Sequence, residues 1–253
     1  MGRAQSAPTQ VIPAKHMILN PDGSYGGDSN KELYGTGATK NGKFDCVTEN
    51  YYKLVDYYNM PCTDTRLIMQ HFMPYQQTMS SSCTLCSLMV TMNYYGEDIT
   101  NTYTEVAFVD CYERLNNICI TGVGCGCNGR MRVLEEFGFD ARRNTSSNVN
   151  EYDYFNNYEE FKDWAWDIFA QDMPIPISWT PIGDHGEVLI GIETMGTDFI
   201  FDDVIVLADS ADNWDLYQDG YNTVPATLFY AQWFEGLDAN LSSQSFNYFF
   251  RKA

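Results

Sequence analysis

The sequence lacks any long apolar run. No stretch approaches the ~18–20 consecutive apolar residues of a membrane span, which excludes insertion by a transmembrane helix. Bases are scarce: 15 Lys and Arg stand against 34 Asp and Glu, for a formal net charge of −19. Such a surface repels phosphate backbones and anionic bilayers, so nucleic acid and membranes are not expected partners. The glycine-dense run Gly122–Gly129 is not followed by Gly-Lys-Ser/Thr, so it does not read as a phosphate loop. No internal repeat is present, which sets solenoids aside. The first residues, Met1-Gly2-Arg3-Ala4-Gln5-Ser6-Ala7-Pro8, carry no apolar run of the signal-peptide kind. A leader could have been removed ahead of them, so extracytoplasmic and bacterial cytoplasmic locations both stay open.

What is present suffices for a full core. The 253 residues are 44% hydrophobic, enough for one domain or for two small lobes sharing a cleft. Eight cysteines are a modest density for this length and do not fix the redox compartment. Residues 1–45 read as an irregular arm. One domain is expected over 46–253, with a helical lobe to about 172 and a sheet lobe from about 173. Helices are expected over 46–60, 101–115, 129–137, 157–170 and 223–235, from apolar residues at helical spacing. Strands are expected at 174–179, at 187–193, at 204–209 and at Ser245–Arg251, the first at a sheet edge or at a strand start because of Pro174 and Pro176. Helices first and antiparallel strands last make an α+β fold.

The stretch from Ser80 to Gly96 is the most informative. Serines offer N-caps and Gly96 a stop. Between them the residues are apolar on nearly every face, as in a helix buried at the centre of a protein. Cys83 opens that helix. A thiol there gains from the helix dipole, and nearby backbone N–H groups can bind an oxyanion. Most cysteines are small core residues, so a partner has to be found. The chain has three histidines. His16 falls in the arm; His71 is the second; His185 begins a strand. Folding that strand and 203–209 as a hairpin with its turn near Gly196-Thr197 brings His185 beside Asp209. An imidazole with a carboxylate behind it is the pair that activates a thiol. Asp202, Asp203 and Asp212 are substitutes if the register slips. Gln77, or Gln76 beside it, offers an amide to an oxyanion. Cys83-x-x-Cys86 with Cys125-x-Cys127 could form a four-thiolate zinc site, but Cys83–Cys86 runs straight into an apolar helix, whereas zinc knuckles sit in turns. No metal is assigned.

Gln77, five intervening residues and then Cys83 opening a helix resemble the papain-like superfamily. The run from Cys83 to Tyr94-Tyr95-Gly96 resembles the bacteriocin-leader-processing peptidases. His71-Phe72 through Gln77, Cys83 and Asn93 is similar to phytochelatin synthase. His185-Gly186-Glu187-Val188-Leu189-Ile190-Gly191 followed by Val204–Asp209 is similar to the His and Asp strands of both. The resemblance covers about residues 70 to 240. It implies a papain-like fold, with Cys83 as nucleophile, His185 as base, Asp209 as third member and Gln77 as oxyanion donor, and no cofactor. Thr84 stands where most relatives have Gly, next to the expected substrate path. The longer gap between His185 and Asp209 implies a long hairpin loop at 194–203. Trp179 and Asp184, within 178–185, are expected on one cleft wall and Gly126 on the other. The expected activity is cleavage of a peptide or isopeptide bond through a thioester. A γ-glutamyl transferase using Arg130, Arg132, Arg142 or Arg143 for a carboxylate, and a non-catalytic binding module, are the alternatives. Oligomeric state is not legible.

Overall fold

The computed structural model describes residues 55–121, 124–145, 155, 157–179, 185–212, 219–232 and 245–251, with the backbone alone at 127, 142–145, 179 and 245–251. The expected arm over 1–45 lies outside them. Of the helix expected over 46–60, residues 55–60 are described and form a turn.

The order is β1 (Arg66–Ile68), α1 (Cys83–Tyr94), α2 (Glu105–Asn116), α3 (Cys127–Glu136), β2 (Phe139–Thr145), α4 (Tyr158–Ala170), β3 (Ile175–Trp179), β4 (His185–Glu193), β5 (Val204–Asp209), β6 (Tyr221–Pro225), α5 (Ala226–Tyr230) and β7 (Ser245–Arg251). Among the described residues these strands form one seven-stranded antiparallel sheet in the order β2-β7-β3-β4-β5-β6, with β1 also paired to β4. The chain is therefore α+β. Two strands, β1 and β2, come from the half expected to be helical, and β3 is interior, with Pro174 just before it and Pro176 its second residue, so of the two expected settings the strand start is the one observed. Pro176 is accommodated because β7 pairs with β3 only at Ile177 and Ser178, beyond the proline, which has no N–H to donate. The helix expected over 223–235 divides into β6 and the five-residue α5. No helix among the described residues is long and apolar enough to cross a membrane.

Helix α1 is buried from Cys83 through Met92. Val90 joins the core cluster of the sheet, while Leu85, Leu88, Met89 and Met92 join a second cluster with α2 and α3. An all-apolar helix is stable here because both faces have something to cover. Gly96 takes φ +92° and closes the helix, its N–H donating to Asn93 O (2.9 Å) while that of Glu97 donates to Met92 O (3.1 Å).

The β4–β5 hairpin positions the site. Glu187, not His185, lies opposite Asp209, followed by Val188–Ala208 and Leu189–Leu207. Past a bulge the partners become Gly191–Val206, Ile192–Ile205 and Glu193–Val204, leaving Ile190 as the extra residue. The expected register is thus displaced by two residues, which preserves the face. Had the tip register run on unbroken, Asp209 would lie opposite Val188 and point to the other side of the sheet. The bulge is what puts Asp209 on the face of His185.

Candidate active site

Helix α1 packs with its first turn against the start of β4. Glycine is required there: a Cβ on Gly186 would lie 2.4 Å from Thr84 Cα and 2.5 Å from Thr84 N. That contact brings the first residue of the helix, Cys83, against the first residue of the strand, His185. The Cys83 thiol hydrogen-bonds the imidazole and also receives the backbone N–H groups of Gly186 and Thr84. His185 Nε2 is 2.6 Å from Asp209 Oδ1, which also accepts the Ala211 N–H at 2.8 Å. With Nε2 engaged by the carboxylate, Nδ1 is the nitrogen left for the sulfur. Asp209 is 1% exposed.

Burial by itself would push the Cys83 thiol up. The hydrogen bond and charge of His185, with the two N–H groups, outweigh it and hold the thiol below its ordinary value. Burial likewise works against the imidazolium, but the charge and hydrogen bond of Asp209, then those of Cys83, hold His185 well above its ordinary value. Both shifts run in the direction that favours a thiolate–imidazolium pair. The neighbouring thiols go the other way. Burial and the Glu105 charge raise Cys86, and burial pushes Cys125 up to about 12. Exposure favours labelling of Cys62 and Cys119 instead. At pH ~6, where ordinary thiols are almost wholly protonated, substoichiometric iodoacetamide is expected to label Cys83 first. Peptide mapping checks this, and first labelling of Cys62 or Cys119 would refute the ion pair.

Gln77 is buried and fixed at three points. Its backbone N–H donates to Ser210 O (3.0 Å), its Oε1 accepts the Ser210 hydroxyl (2.7 Å), and its Nε2 donates to Met79 O (3.0 Å). Gln76 is buried too, with no partner for its amide among the described residues. Ser82 is the N-cap of α1 but makes no side-chain cap; its hydroxyl lies 2.9 Å from Met79 O and 2.5 Å from Glu105 Oε1. In the first turn the Thr84 N–H goes to the Cys83 sulfur, while those of Leu85 and Cys86 donate to Ser82 O, each at 2.8 Å.

The remaining residues are placed as follows. Thr84 is 5% exposed and sits in the seam with Gly186, directly after the Cys83 thiol. Gly126 is exposed, caps α3, and donates its N–H to Tyr112 Oη at 2.8 Å. Trp179 pairs with His185 through the backbone, and Asp184 lies outside the described residues. Asp203 is committed to Tyr158 and Lys162 at the far end of β5, Asp202 to Thr197, and Asp212 to the Gly220 N–H. Arg130 is buried. Arg132 is turned to Leu115 O and Asn116. The side chains of Arg142 and Arg143 lie outside the described residues.

Three residues close to this constellation carry no signal in the sequence. Glu187 is fully buried opposite Asp209 and accepts Asn222 Nδ2 at 3.2 Å. Ser210 reads only as a polar residue at a strand end. Glu105 reads as an ordinary first-turn acid after the N-cap Thr104. His185, Glu187 and Asp209 bring ligand atoms within 4.8 Å of one another, a group able to hold a metal ion, although the imidazole already serves Asp209 and Cys83.

The chain is similar to the peptidase domain of Streptococcus ComA, a bifunctional ABC transporter involved in a quorum-sensing pathway. The identity is 11%, the match covers 70% of this chain and 96% of that one, and the TM-score is 0.40. No family model matches the sequence, and the search of curated protein sequences found no match.

Proposed function

We propose that the chain is a papain-like cysteine peptidase or amidase that cleaves a peptide or isopeptide bond through a thioester. The observation that carries this reading is the unbroken line from the Cys83 thiol through the His185 ring to the buried Asp209 carboxylate. The Cys83 thiolate adds to the carbonyl carbon, and the carbonyl electron pair moves to oxygen. The Cys83 N–H and the Gln77 amide stabilise that oxyanion. His185 gives its proton to the departing amine, leaving the thioester. Water, deprotonated by His185, then releases the acid, or a second amine takes the acyl group. Asp209 keeps the ring oriented and stabilises its charged form.

A peptide is the substrate class this chemistry fits. Of the arginines considered for a γ-glutamyl carboxylate, Arg132 is bound to Leu115 O and Asn116 and so lends that alternative no support. A binding module has no use for a depressed thiol paired to an imidazole. The wild-type protein, mixed with a library of internally quenched peptides, is expected to release fluorescence and to show an acyl adduct on Cys83 after acid quench. Cleavage surviving in Cys83→Ala, or an adduct on another cysteine, overturns the reading.

A further inference from the structure

Glu105 lies on α2, outside the thiol–imidazole–carboxylate line, yet it meets donors from four residues of the loop that leads into Cys83: Tyr75, Thr78, Met79 and Ser82. It is 3% exposed. Its Oε1 accepts the N–H groups of Thr78 and Met79, each at 3.1 Å, and lies 2.5 Å from Ser82 Oγ. Its Oε2 accepts the Thr78 N–H at 3.0 Å, the Thr78 hydroxyl at 2.6 Å and the Tyr75 hydroxyl at 3.0 Å. Five donor groups between residues 75 and 82 thus converge on one carboxylate. They bracket Gln77 on both sides and end one residue before Cys83.

A carboxylate offers about four acceptor sites and no donor. Only that group satisfies so many inward-pointing donors at once; an amide of the same shape would turn an NH₂ toward some of them. The negative charge sits at the N-terminus of α2, where the helix dipole favours it. The bracketed Gln77 has its own amide aimed by Ser210, the residue after Asp209. The loop is therefore held from the helical side by Glu105 and from the sheet side by Ser210.

We propose that Glu105 is a positioning residue that fixes the Gln77 loop against the N-terminus of α1 and so sets the oxyanion site. This rests on the cysteine-peptidase reading above. It separates two properties of one thiol. Displacement of iodide from iodoacetamide needs the thiolate, which His185 and Asp209 supply, and forms no oxyanion. Acylation by p-nitrophenyl acetate needs the same thiolate but passes through one: sulfur bonds to the carbonyl carbon, the electron pair shifts to oxygen, and its return expels p-nitrophenolate.

The test compares both rates at Cys83 in the full-length protein. Glu105→Gln is expected to slow acylation by ~10- to 100-fold, within the effect of losing an oxyanion donor, while alkylation stays within about 2-fold because the ion pair is untouched. Gln77→Ala should do the same, and the double variant should be no slower than Gln77→Ala alone, since residues acting through one another are not additive. Multiplicative effects, or acylation and alkylation falling together, overturn the proposal. Should Glu105→Gln fail to fold, Ser82→Ala removes one of the five donors without removing a helix cap, and its acylation should fall by ~3- to 10-fold with alkylation unchanged. An unchanged acylation rate in Ser82→Ala is then the overturning result. Acetylation persisting in Cys83→Ala refutes the peptidase reading and this inference together; acetylation lost there but normal in Glu105→Gln refutes the inference alone.

Discussion

Removing the ring in His185→Ala is expected to lower kcat/KM by about 10³–10⁴-fold, the upper range for a general acid–base group. The size follows from three losses at one residue. The thiol loses the partner that outweighs its burial, so its pKa rises. The leaving amine loses its proton donor. Asp209, 1% exposed, loses the group that balances its charge. The wild-type profile of kcat/KM should be a bell. Activity rises as pH passes the lowered Cys83 value, where the thiolate forms. It falls as pH passes the raised His185 value, where the imidazolium is lost. Both limbs belong to the coupled pair. In His185→Ala the bell should vanish, leaving a single rise at the pH of the unassisted thiol. His185→Gln, which retains a donor for Asp209, separates chemistry from folding: its melting temperature should stay nearer wild type while its turnover does not. Wild-type turnover in either variant would end the thiol mechanism.

Gly186→Ala is the second large effect. The added Cβ would meet Thr84 Cα at 2.4 Å, Thr84 N at 2.5 Å and Thr84 Cγ2 at 2.6 Å. Two of those atoms are backbone, so rotamer change gives no relief. The first turn of α1 and the start of β4 have to part by about an ångström. Misplacement on that scale costs on the order of 10²-fold in rate, and overpacking a tight seam costs about 1–3 kcal/mol. The same shift draws the Gly186 N–H away from the sulfur. Alkylation at Cys83 should therefore slow along with turnover, unlike in Glu105→Gln. Thr84→Ala in the same chain should not rescue it, because the backbone contacts remain. Thermal melts and alkylation rates check both statements; a variant with normal alkylation would show that the seam has slack.

Helix α1 was legible because its pattern is extreme: apolar residues on every side, a stop at Gly96 and a cysteine at its start. The pairing of His185 with Asp209 was legible to the level of a sheet face and no further. Hairpin arithmetic assumes even pairing, and a single extra residue, Ile190, breaks that assumption without marking the sequence. Strand β1 has three residues, too few for periodicity to register, and β2, with Asp140, Arg142, Arg143 and Asn144, shows no apolar alternation. Pro176 fits either an edge or a strand start, and the choice depends on where the neighbouring strand begins, which is a tertiary fact. Glu105 was hidden most completely. A first-turn acid is common, and nothing local shows that the donors of a loop some 25 residues earlier turn toward it.

The sharing of α1 between two cores bears on when the chain becomes armed. A nascent polypeptide carries its thiol about a hundred residues before its base, and closing so long a loop is slow compared with forming local helices. Until β4 docks under the first turn of α1, no imidazole faces Cys83, and nothing holds its thiol below the ordinary value. Reactivity at Cys83 reports completion of the whole fold, so a labelling time course during refolding follows the last docking step rather than the appearance of helix.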